Sequence, residues 1–358
     1  MIACLFAFGL PALAQPDVEL TDKEKAYQDS IAAINAENEQ NSASREVYNE
    51  GISLFEKKDF KAAIGKFTEA IKIDPEFRDA YYNKGVAELE ARQYKAASAT
   101  FTDLITKEKS AKVLFQRARV YQSLNDYGKA EYDYSDAIKL DPKNEKIAYN
   151  FGTLKFLQKD YDAAIKLFDQ AIASKSDFGF AYNDRGSCHR MKKEYQKAVE
   201  DYEKAMRFNP KSAFILNNIG SVKRKLNDHN GAITAYNRAI SIDANYYLAH
   251  NNRGSALFEN GKYDDAMKDF NKAISIKADY APAYNNRGSV KFKNEDYEGA
   301  IKDFDKAIEL DPNYANAYVN RGIAKERARD EGGACEDWEK ARELGSEVAK
   351  SYHSTNCQ

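Results

Sequence analysis

The chain has 358 residues, 31% of them charged, and its formal net charge is −2. This near neutrality provides no global basic field for a phosphate backbone, so a nucleic acid is not an expected partner. After the first residues, no stretch reaches the roughly 18 apolar residues that a helix needs to cross a membrane, and the sequence predicts no membrane span.

The first 14 residues, MIACLFAFGLPALA, form an apolar run that ends in small residues at Ala12 and Ala14. This pattern is typical of signal peptidase sites and predicts a signal peptide over residues 1–14, with cleavage after Ala14. No Lys or Arg precedes the run, so the signal is atypical or the start codon lies upstream of Met1. Cys4 lies inside the run, unlike a lipid-modified cysteine. We expect export to a bacterial periplasm, to the cell envelope or to the exterior.

Residues 15–43 form an acidic segment without the pattern that dominates the rest of the chain. Thr21 and Glu24 have the spacing of a capping box, which predicts a helix from Asp22 towards Glu39. Such a helix is either an N-terminal cap for the remainder of the chain or a solvated linker, and both interpretations stay open at this point.

Between residues 44 and 348 a unit of 34 residues occurs nine times, with one single-residue deletion. Each unit has a small anchor residue, and the anchors are Gly51, Gly85, Ala118, Gly152, Gly186, Gly220, Gly254, Gly288 and Gly322. Twelve residues after each anchor stands an alanine, and sixteen residues after it stands an aromatic residue. Only a position of close contact between helices is this intolerant of bulk, so the alanine marks such a contact.

Each unit contains two amphipathic stretches of about 13 residues, separated by a turn such as Asn260-Gly261-Lys262. In several units the second stretch ends at Asp-Pro or Asn-Pro, where proline stops a helix. Glycine, alanine, an aromatic residue and Asp-Pro in this order closely resemble the tetratricopeptide repeat, a helix-turn-helix unit whose copies stack and share a core.

The resemblance covers about 85% of the chain and implies an all-α fold, a right-handed α-solenoid of nine stacked helix-turn-helix repeats. The repeats are predicted at residues 44–77, 78–110, 111–144, 145–178, 179–212, 213–246, 247–280, 281–314 and 315–348. Residues 349–358 are predicted to form a C-terminal cap tail.

The residue before the anchor and the residue fifteen after it change together. Five units combine arginine with aspartate, in the pairs Arg117 and Asp133, Arg185 and Asp201, Arg253 and Asp269, Arg287 and Asp303, and Arg321 and Asp337. The other pairs are Glu50 with Lys66, Phe151 with Leu167, Ile219 with Ala235, and the unmatched Lys84 with Thr100. This covariation predicts side-chain contacts between the two helices of a hairpin. The arginines are therefore interpreted as structural ion-pair partners rather than as an anion-binding stripe.

The first helix of each hairpin is expected to line the concave groove of the solenoid, where ligand-binding residues belong. Two residues before the anchor, the units carry Asn49, Asn83, Gln116, Asn150, Asp184, Asn218, Asn252, Asn286 and Asn320. An amide donates and accepts hydrogen bonds, which suits it to an extended peptide backbone. The resemblance implies peptide contact, because family members hold peptides with such asparagines, but asparagine is also simply the commonest family residue here.

The neighbouring position divides the groove into two zones. It is aromatic in the first four units, with Tyr48, Tyr82, Phe115 and Tyr149, and amide in the next four, with Asn183, Asn217, Asn251 and Asn285. Arg190 and Arg224 lie near the boundary, and the arginine–aspartate pairing does not explain them. They are candidates for binding an acidic side chain or a terminal carboxylate, with a solvated surface as the alternative.

The repeat register separates the three cysteines that come after the predicted cleavage site. Cys188 occupies a core position, where other units carry small residues. Cys335 lies on a helix face that packs against the following segment, and Cys357 lies just beyond a short helix expected near Ser346. We predict a disulfide between Cys335 and Cys357, which an oxidising compartment permits; two unpaired thiols are the alternative.

Catalysis finds no support among these residues. The four histidines are scattered without metal-ligand spacing, and no nucleophile elbow or phosphate-binding loop is present. We expect no enzyme activity and no cofactor. The sequence favours a scaffold that binds a protein or an extended peptide in its concave groove. The alternatives are a structural subunit of an envelope assembly that uses its convex face, and a glycan-binding module; the oligomeric state is not predicted.

Overall fold

The computed structural model describes residues 22–357, and within that range every regular element is an α-helix. The helices are α1 (Asp22–Glu56), α2 (Phe60–Ile73), α3 (Arg78–Glu90), α4 (Tyr94–Lys107), α5 (Ala111–Ser123), α6 (Tyr127–Leu140), α7 (Glu145–Leu157), α8 (Tyr161–Ser174), α9 (Gly179–Met191), α10 (Tyr195–Phe208), α11 (Ala213–Lys225), α12 (His229–Ile242), α13 (Tyr247–Glu259), α14 (Tyr263–Ile276), α15 (Ala281–Lys293), α16 (Tyr297–Leu310), α17 (Ala315–Arg327), α18 (Glu331–Glu343) and α19 (Glu347–Asn356). The predicted all-α repeat fold is confirmed.

Each repeat consists of an A helix, which carries the anchor, and a B helix. The A helices are the C-terminal part of α1 and then α3, α5, α7, α9, α11, α13, α15 and α17, and each is followed by its B helix. From the second repeat onwards, every predicted repeat begins at the first residue of an A helix. The helices group into two compact units, of which the first ends at Leu140 and the second begins at Asp141.

The first A helix extends far towards the N-terminus. Helix α1 has 35 residues and runs without a break across the boundary predicted between residues 43 and 44. The reason is that neither glycine nor proline interrupts the chain between Asp22 and Gly51. Residues 28–40 of this helix are exposed, so this part is a solvated extension, whereas Ser44 is already buried. The predicted signal peptide lies outside the described residues.

The core of each repeat is a contact between the anchor and the aromatic residue sixteen positions later. At Gly220 an added Cβ would lie 2.5 Å from the ring of Tyr236, so the ring lies directly on the A helix. Tyr236 itself is fully buried, as is Ala232, which stands at the invariant alanine position. Close approach of two helices therefore explains the small residues at both positions.

The turn between the A and B helices has the same geometry in all nine repeats. Its residue seven positions after the anchor has a positive φ, between 58° and 73°, at Lys58, Arg92, Asn125, Lys159, Lys193, Asn227, Gly261, Glu295 and Arg329. A glycine occupies this left-handed position only in the seventh repeat, although non-glycine residues adopt it at a cost.

The five predicted arginine–aspartate pairs, and Glu50 with Lys66, are present as ion pairs between A and B helices. Arg117, for example, makes two hydrogen bonds to Asp133, from Nε at 2.7 Å and from Nη2 at 2.8 Å. The unmatched Lys84 turns instead to Glu88 on its own helix, at 3.6 Å. Thr100 of the B helix donates to the same carboxylate at 2.7 Å. In this repeat, Glu88 thus connects Lys84 and Thr100, which have no direct ion pair.

The last helix, α19, caps the ninth repeat. Its N-terminus is capped by Ser346, and Tyr352 stacks on Trp338 of α18 with 5.2 Å between ring centroids. A disulfide joins Cys335 to Cys357, with 5.6 Å between the Cα atoms. Since α19 begins at Glu347, the boundary predicted between residues 348 and 349 lies inside a helix. Cys188 is a buried free thiol, as its core position predicts.

Candidate functional site: the face of the A helices

The asparagines predicted as ligand-binding residues are hydrogen-bonded to each other across repeats. We call this set the amide ladder; it comprises Asn183, Asn217, Asn218, Asn251, Asn252, Asn285, Asn286 and Asn320. The asparagine two residues before each anchor donates its Nδ2 to the Oδ1 of the asparagine three residues before the preceding anchor. The four N–O distances, for donors Asn218, Asn252, Asn286 and Asn320, are 3.1, 2.9, 3.0 and 2.9 Å.

Hydrogen bonds within a repeat connect the steps of the ladder. Asn251 donates to Asn252 at 3.4 Å and Asn285 donates to Asn286 at 3.3 Å. At the lower-numbered end, Asn183 donates to the carboxylate of Asp184 at 2.8 Å. A carboxylate accepts only, which fixes the Asn183 amide with its nitrogen towards Asp184 and its oxygen towards the next repeat.

Asp184 is the charged end of the ladder. It also accepts a hydrogen bond of 2.7 Å from the hydroxyl of Tyr149 in the preceding repeat. Burial raises the pKa of the Asp184 carboxyl above its ordinary value of 3.8, and the hydrogen bonds from Tyr149 and Asn183 offset part of this effect. The neutral carboxylic acid is therefore more favoured here than in water.

The aromatic zone uses the same two positions in the same way. The side chain of Asn83 donates to the Tyr48 hydroxyl at 2.5 Å, and that of Gln116 donates to the Tyr82 hydroxyl at 2.9 Å. Asn150 differs, because its Nδ2 donates to the carbonyl of Lys146 on its own helix at 2.8 Å. Most of the predicted ligand-binding side chains thus already have a partner in the fold. The second Nδ2 hydrogen of a half-buried asparagine is what remains for a ligand.

Arg190 and Arg224 have different surroundings. Arg224 reaches across to the next repeat, where its Nε lies 3.5 Å from a carboxylate oxygen of Glu259. Arg190 has a buried Nε without a hydrogen-bond partner in the described part of the chain. Both arginines are half-buried.

Two cavities open on this face between consecutive A helices. The first, of about 190 Å³, is lined by Arg224, Ser255, Phe258, Glu259, Phe270, Asn286 and Ser289. The second, of about 210 Å³, is lined by Phe258, Ser289, Phe292, Lys293, Phe304, Asn320 and Ile323. Every lining position of the first cavity has its equivalent, one repeat of 34 residues later, in the lining of the second, as in Ser255 and Ser289. We call them the paired pockets.

Sequence comparisons agree with this geometry. Profiles described as "Tetratricopeptide repeat" match residues 48–113, 111–144, 145–178, 180–212 and 281–314, and one described as "TPR repeat" matches residues 220–261 and 254–295. The chain belongs to the tetratricopeptide repeat family. Such repeats generally form non-catalytic scaffolds for protein–protein interactions, and this fold supports that role.

The similarity of this tetratricopeptide repeat protein to individual relatives is partial. A curated relative, the Lipoprotein NlpI homolog of Haemophilus influenzae, is 30% identical over 82 residues, which cover 23% of this chain and 26% of the relative. The chain therefore matches about a quarter of that relative's length.

Two solved structures share the fold of this tetratricopeptide repeat protein. One, a tetratricopeptide repeat protein from Parabacteroides merdae, has a TM-score of 0.61 at 22% identity and covers 70% of this chain and 100% of that one. The other, the type IV pilus biogenesis factor PilW, has a TM-score of 0.53 at 20% identity, with 58% and 97% covered.

The sequence analysis did not identify Phe258 and Phe292 as site residues. Both stand four residues after the anchor, a position at which the repeats of this family member vary from aromatic to charged. Arg190, Arg224 and Glu326 occupy the same position in other repeats. A comparison of this position across the repeats would have shown that it is basic in two of them, aromatic in others and acidic in the last. The sequence therefore contained the information that singles out Phe258 and Phe292.

The structure contains no sign of a metal centre in the part that it describes. Within residues 22–357, no three side chains of His, Cys, Asp or Glu come together as metal ligands. In the same range, no helix is long and apolar enough to cross a membrane.

Proposed function

We propose that this protein is an exported, non-catalytic scaffold that binds an extended peptide of a partner protein on the A-helix face of the sixth to ninth repeats. The paired pockets carry this proposal, because two equivalent cavities one repeat apart suit a periodic ligand. Stacked helices lie about 10 Å apart, and a peptide in the extended polyproline II conformation advances about 3.1 Å per residue with three residues per turn. Its side chains three residues apart therefore point in the same direction and would enter consecutive pockets.

The two pockets differ in chemistry, which predicts the order of side chains in the peptide. Arg224 and Glu259 give the first pocket two charged groups. Phe258, Phe292 and Ile323 give the second pocket a mainly apolar lining. The preferred peptide has a polar side chain for the first pocket and an aliphatic or aromatic one for the second. The second amide hydrogen of Asn320 is in place to contact its backbone.

Three observations support export. The first 14 residues have the composition of a signal peptide. The disulfide between Cys335 and Cys357 belongs to an oxidising compartment. A lipoprotein and a type IV pilus biogenesis factor are among the similar proteins, both named for envelope roles. Cell fractionation and N-terminal sequencing test this directly: export predicts a mature chain that begins at Gln15, and an intact N-terminus in the cytoplasm contradicts it.

The binding experiment uses Ser289→Phe, because Ser289 lines both pockets and a ring at this position fills them. Ser289 donates only to the carbonyl of Asn285 on its own helix, so its loss disturbs no contact between repeats. The matched control is Ser275→Phe, since Ser275 makes the same kind of local hydrogen bond on the exposed side of α14. Circular dichroism and melting must first show that the parent chain and both variants are equally folded.

The three proteins are then compared in affinity capture from an envelope extract. We expect a partner that is retained by the parent and by Ser275→Phe and is lost with Ser289→Phe. A synthetic peptide from that partner should show the same order of affinities. Equal retention by all three proteins contradicts binding in the paired pockets and favours a structural subunit that uses another surface. Retention on cell-wall polysaccharide alone favours the glycan-binding alternative.

A further inference from the structure

The residue before the anchor fills the space between consecutive B helices. In five repeats it is an arginine that pairs with aspartate on its own B helix and also reaches the preceding B helix. Its Nη1 donates there to Thr102, Asp169, Asn237, Asn271 or Asp305, over 2.5 to 3.1 Å. In each of these five repeats, one arginine side chain therefore closes the layer between two consecutive B helices by bonding to both of them.

The sixth repeat lacks this closure. Ile219 replaces the arginine and Ala235 replaces the aspartate, so both groups of the ion pair are missing. Glu203 on the preceding B helix stands sixteen residues before Ile219, where four other repeats provide the acceptor for the arginine. A cavity of about 480 Å³ lies here, bounded by α10, α11 and α12. Ligand pockets measure about 300 to 1,000 Å³, so this volume suffices for a bound group.

The floor of this cavity is apolar. Met206, Leu216, Ile219 and Ala235 line it, and each is less than a tenth exposed. Water at such a floor gains few hydrogen bonds, and an apolar side chain that displaces it is favoured by the hydrophobic effect.

The rim of the cavity is cationic. Arg207, Lys223 and Arg238 come from three different helices, and Glu203 is the single acidic residue of the lining. Lys223 lies 3.8 Å from Asp228. Arg207 and Arg238 are exposed and have no carboxylate within ion-pair distance among the described residues. With Asp228 counted beside Lys223, the rim still has one positive charge more than negative ones, and its two arginines are unpaired, which favours an anionic group directly beside the apolar anchor.

We propose that this cavity, which we call the open layer, is a second binding site that takes an acidic peptide segment of a partner protein, with an aromatic or aliphatic residue between carboxylates. The apolar side chain enters the floor, and the flanking carboxylates contact Arg207 and Arg238. This site lies at the B helices and is independent of the paired pockets, so a peptide bound there leaves the A-helix face accessible.

The test observes the floor directly through Met206. The chain contains four methionines, so labelling their methyl groups with carbon-13 gives few and well-separated signals. Met206 lines the open layer, whereas Met191 and Met267 lie outside its lining and serve as internal references. Three five-residue peptides with blocked termini are titrated into the full chain. The first has a central phenylalanine between two glutamates, the second a central phenylalanine between two lysines, and the third a central alanine between two glutamates.

We expect the first peptide to shift the Met206 signal and to leave the two reference signals in place. The lysine peptide loses the contact with the rim and the alanine peptide loses the anchor, so each should bind about tenfold more weakly or not at all. A Met206 signal that does not move at millimolar peptide, or that moves equally with the glutamate and lysine peptides, overturns the proposal.

Two variants locate the site. Ile219→Arg combined with Ala235→Asp restores the closure of the other five repeats and should abolish binding while keeping or raising the melting temperature. Arg207→Gln combined with Arg238→Gln changes only exposed groups, and it should weaken binding of the glutamate peptide about five- to tenfold. Undiminished binding by the second variant contradicts the role of the rim, even where the first variant fails to fold. Ser289→Phe should bind as the parent does, which separates this result from the fate of the paired pockets.

Discussion

Asp184 is the one acidic residue at a position that otherwise carries amides. It is held between the Tyr149 hydroxyl and the Asn183 amide, and both of these groups donate to it. An asparagine here would accept from Asn183 with its Oδ1 and donate from its Nδ2 to the Tyr149 hydroxyl oxygen, so both contacts would be kept. The carboxylate therefore adds the cost of a half-buried charge without adding a hydrogen bond.

We predict that Asp184→Asn stabilises the protein at neutral pH. Because the folded-state pKa of Asp184 is raised, the folded state holds this proton more tightly than the unfolded state does. The associated stability is fully present below the ordinary pKa of 3.8 and is lost as the pH rises through the raised value. Urea unfolding should show the variant to be more stable than the parent at pH 7, with the difference shrinking towards pH 4.

The exposed Asp264 provides the control for this measurement, since Asp264→Asn removes a carboxylate of the same kind from the surface. It should not reproduce the pH-dependent gain. If Asp184→Asn proves less stable than the parent at pH 7, the charged carboxylate is itself a stabilising acceptor and our interpretation of its burial is wrong.

The ion pair of Arg117 and Asp133 allows a clean test of covariation. In the other four pairs a lysine or a histidine also contacts the aspartate, as Lys291 does with Asp303 at 2.9 Å, and this group is a further partner that the exchange would disturb. Reversing either charge alone should cost about 3 to 5 kcal/mol, since Asp133 is buried. Arg117→Asp combined with Asp133→Arg should recover most of this loss in urea unfolding.

The first repeat already has the exchanged arrangement, with Glu50 on the A helix 2.8 Å from Lys66 on the B helix. A double variant no more stable than the sum of the single losses would show that the two residues do not interact energetically.

At the scale of an element, helix α19 depends on few contacts. It has ten residues, of which Ala349 is the buried one. It is further attached by the stacking of Tyr352 on Trp338, by His353, whose Nε2 lies 3.3 Å from Glu339, and by the disulfide. A helix this short is marginal without tertiary support. The disulfide therefore decides whether the end of the repeat array stays covered.

Reduction of this disulfide should loosen α19. Opening a loop of this length costs about 3 kcal/mol in the chain-entropy model, so amide hydrogen exchange in α19 should speed up markedly with reductant while α16 is unchanged. Alkylation gives a second measure: Cys335 and Cys357 should react only after reduction. Cys188 should stay unmodified in the folded chain, because burial raises the pKa of its thiol to about 12. Unchanged exchange in α19 would show that packing alone holds it.

How far the sequence predicts such elements depends on where the contacts lie. The repeat register and the arginine–aspartate pairs are visible in the sequence because both partners belong to one unit and vary together. The amide ladder was not predicted, since its bonds between repeats join residues 35 positions apart that belong to different units. The two columns were treated as independent ligand-binding positions for that reason. The open layer was also missed, because its volume depends on Ile219, Ala235 and a helix of the preceding repeat.

At the scale of the molecule, each repeat from the fourth to the ninth contacts the next one in sequence, so the stability of this part is close to a sum of repeat and interface contributions. Each ladder bond is then part of one interface. Removing an amide hydrogen bond costs about 0.5 to 1.5 kcal/mol, and bonds in separate interfaces should contribute independently.

We therefore predict that Asn218, Asn252 and Asn286 changed together to alanine lower the free energy of unfolding by about 3 kcal/mol, as the sum of three such bonds. Chemical unfolding measures this loss. The control carries alanine at the exposed Asn245, Asn294 and Asn313, and should unfold as the parent does. If the triple variant is as stable as the parent, the hydrogen bonds of the ladder do not stabilise the fold, and ligand binding is the remaining role for these asparagines.

The one-way direction of the ladder has a consequence for how such a chain can change its length. Repeats six to eight each offer a donor to the repeat before and an acceptor to the repeat after, so one more copy of the same unit would join both neighbours with identical bonds. A unit inserted between Tyr149 and Asp184 would instead separate a pair that occurs once. Gene duplication can thus lengthen or shorten the array at its later repeats, while the junction at Asp184 keeps its place.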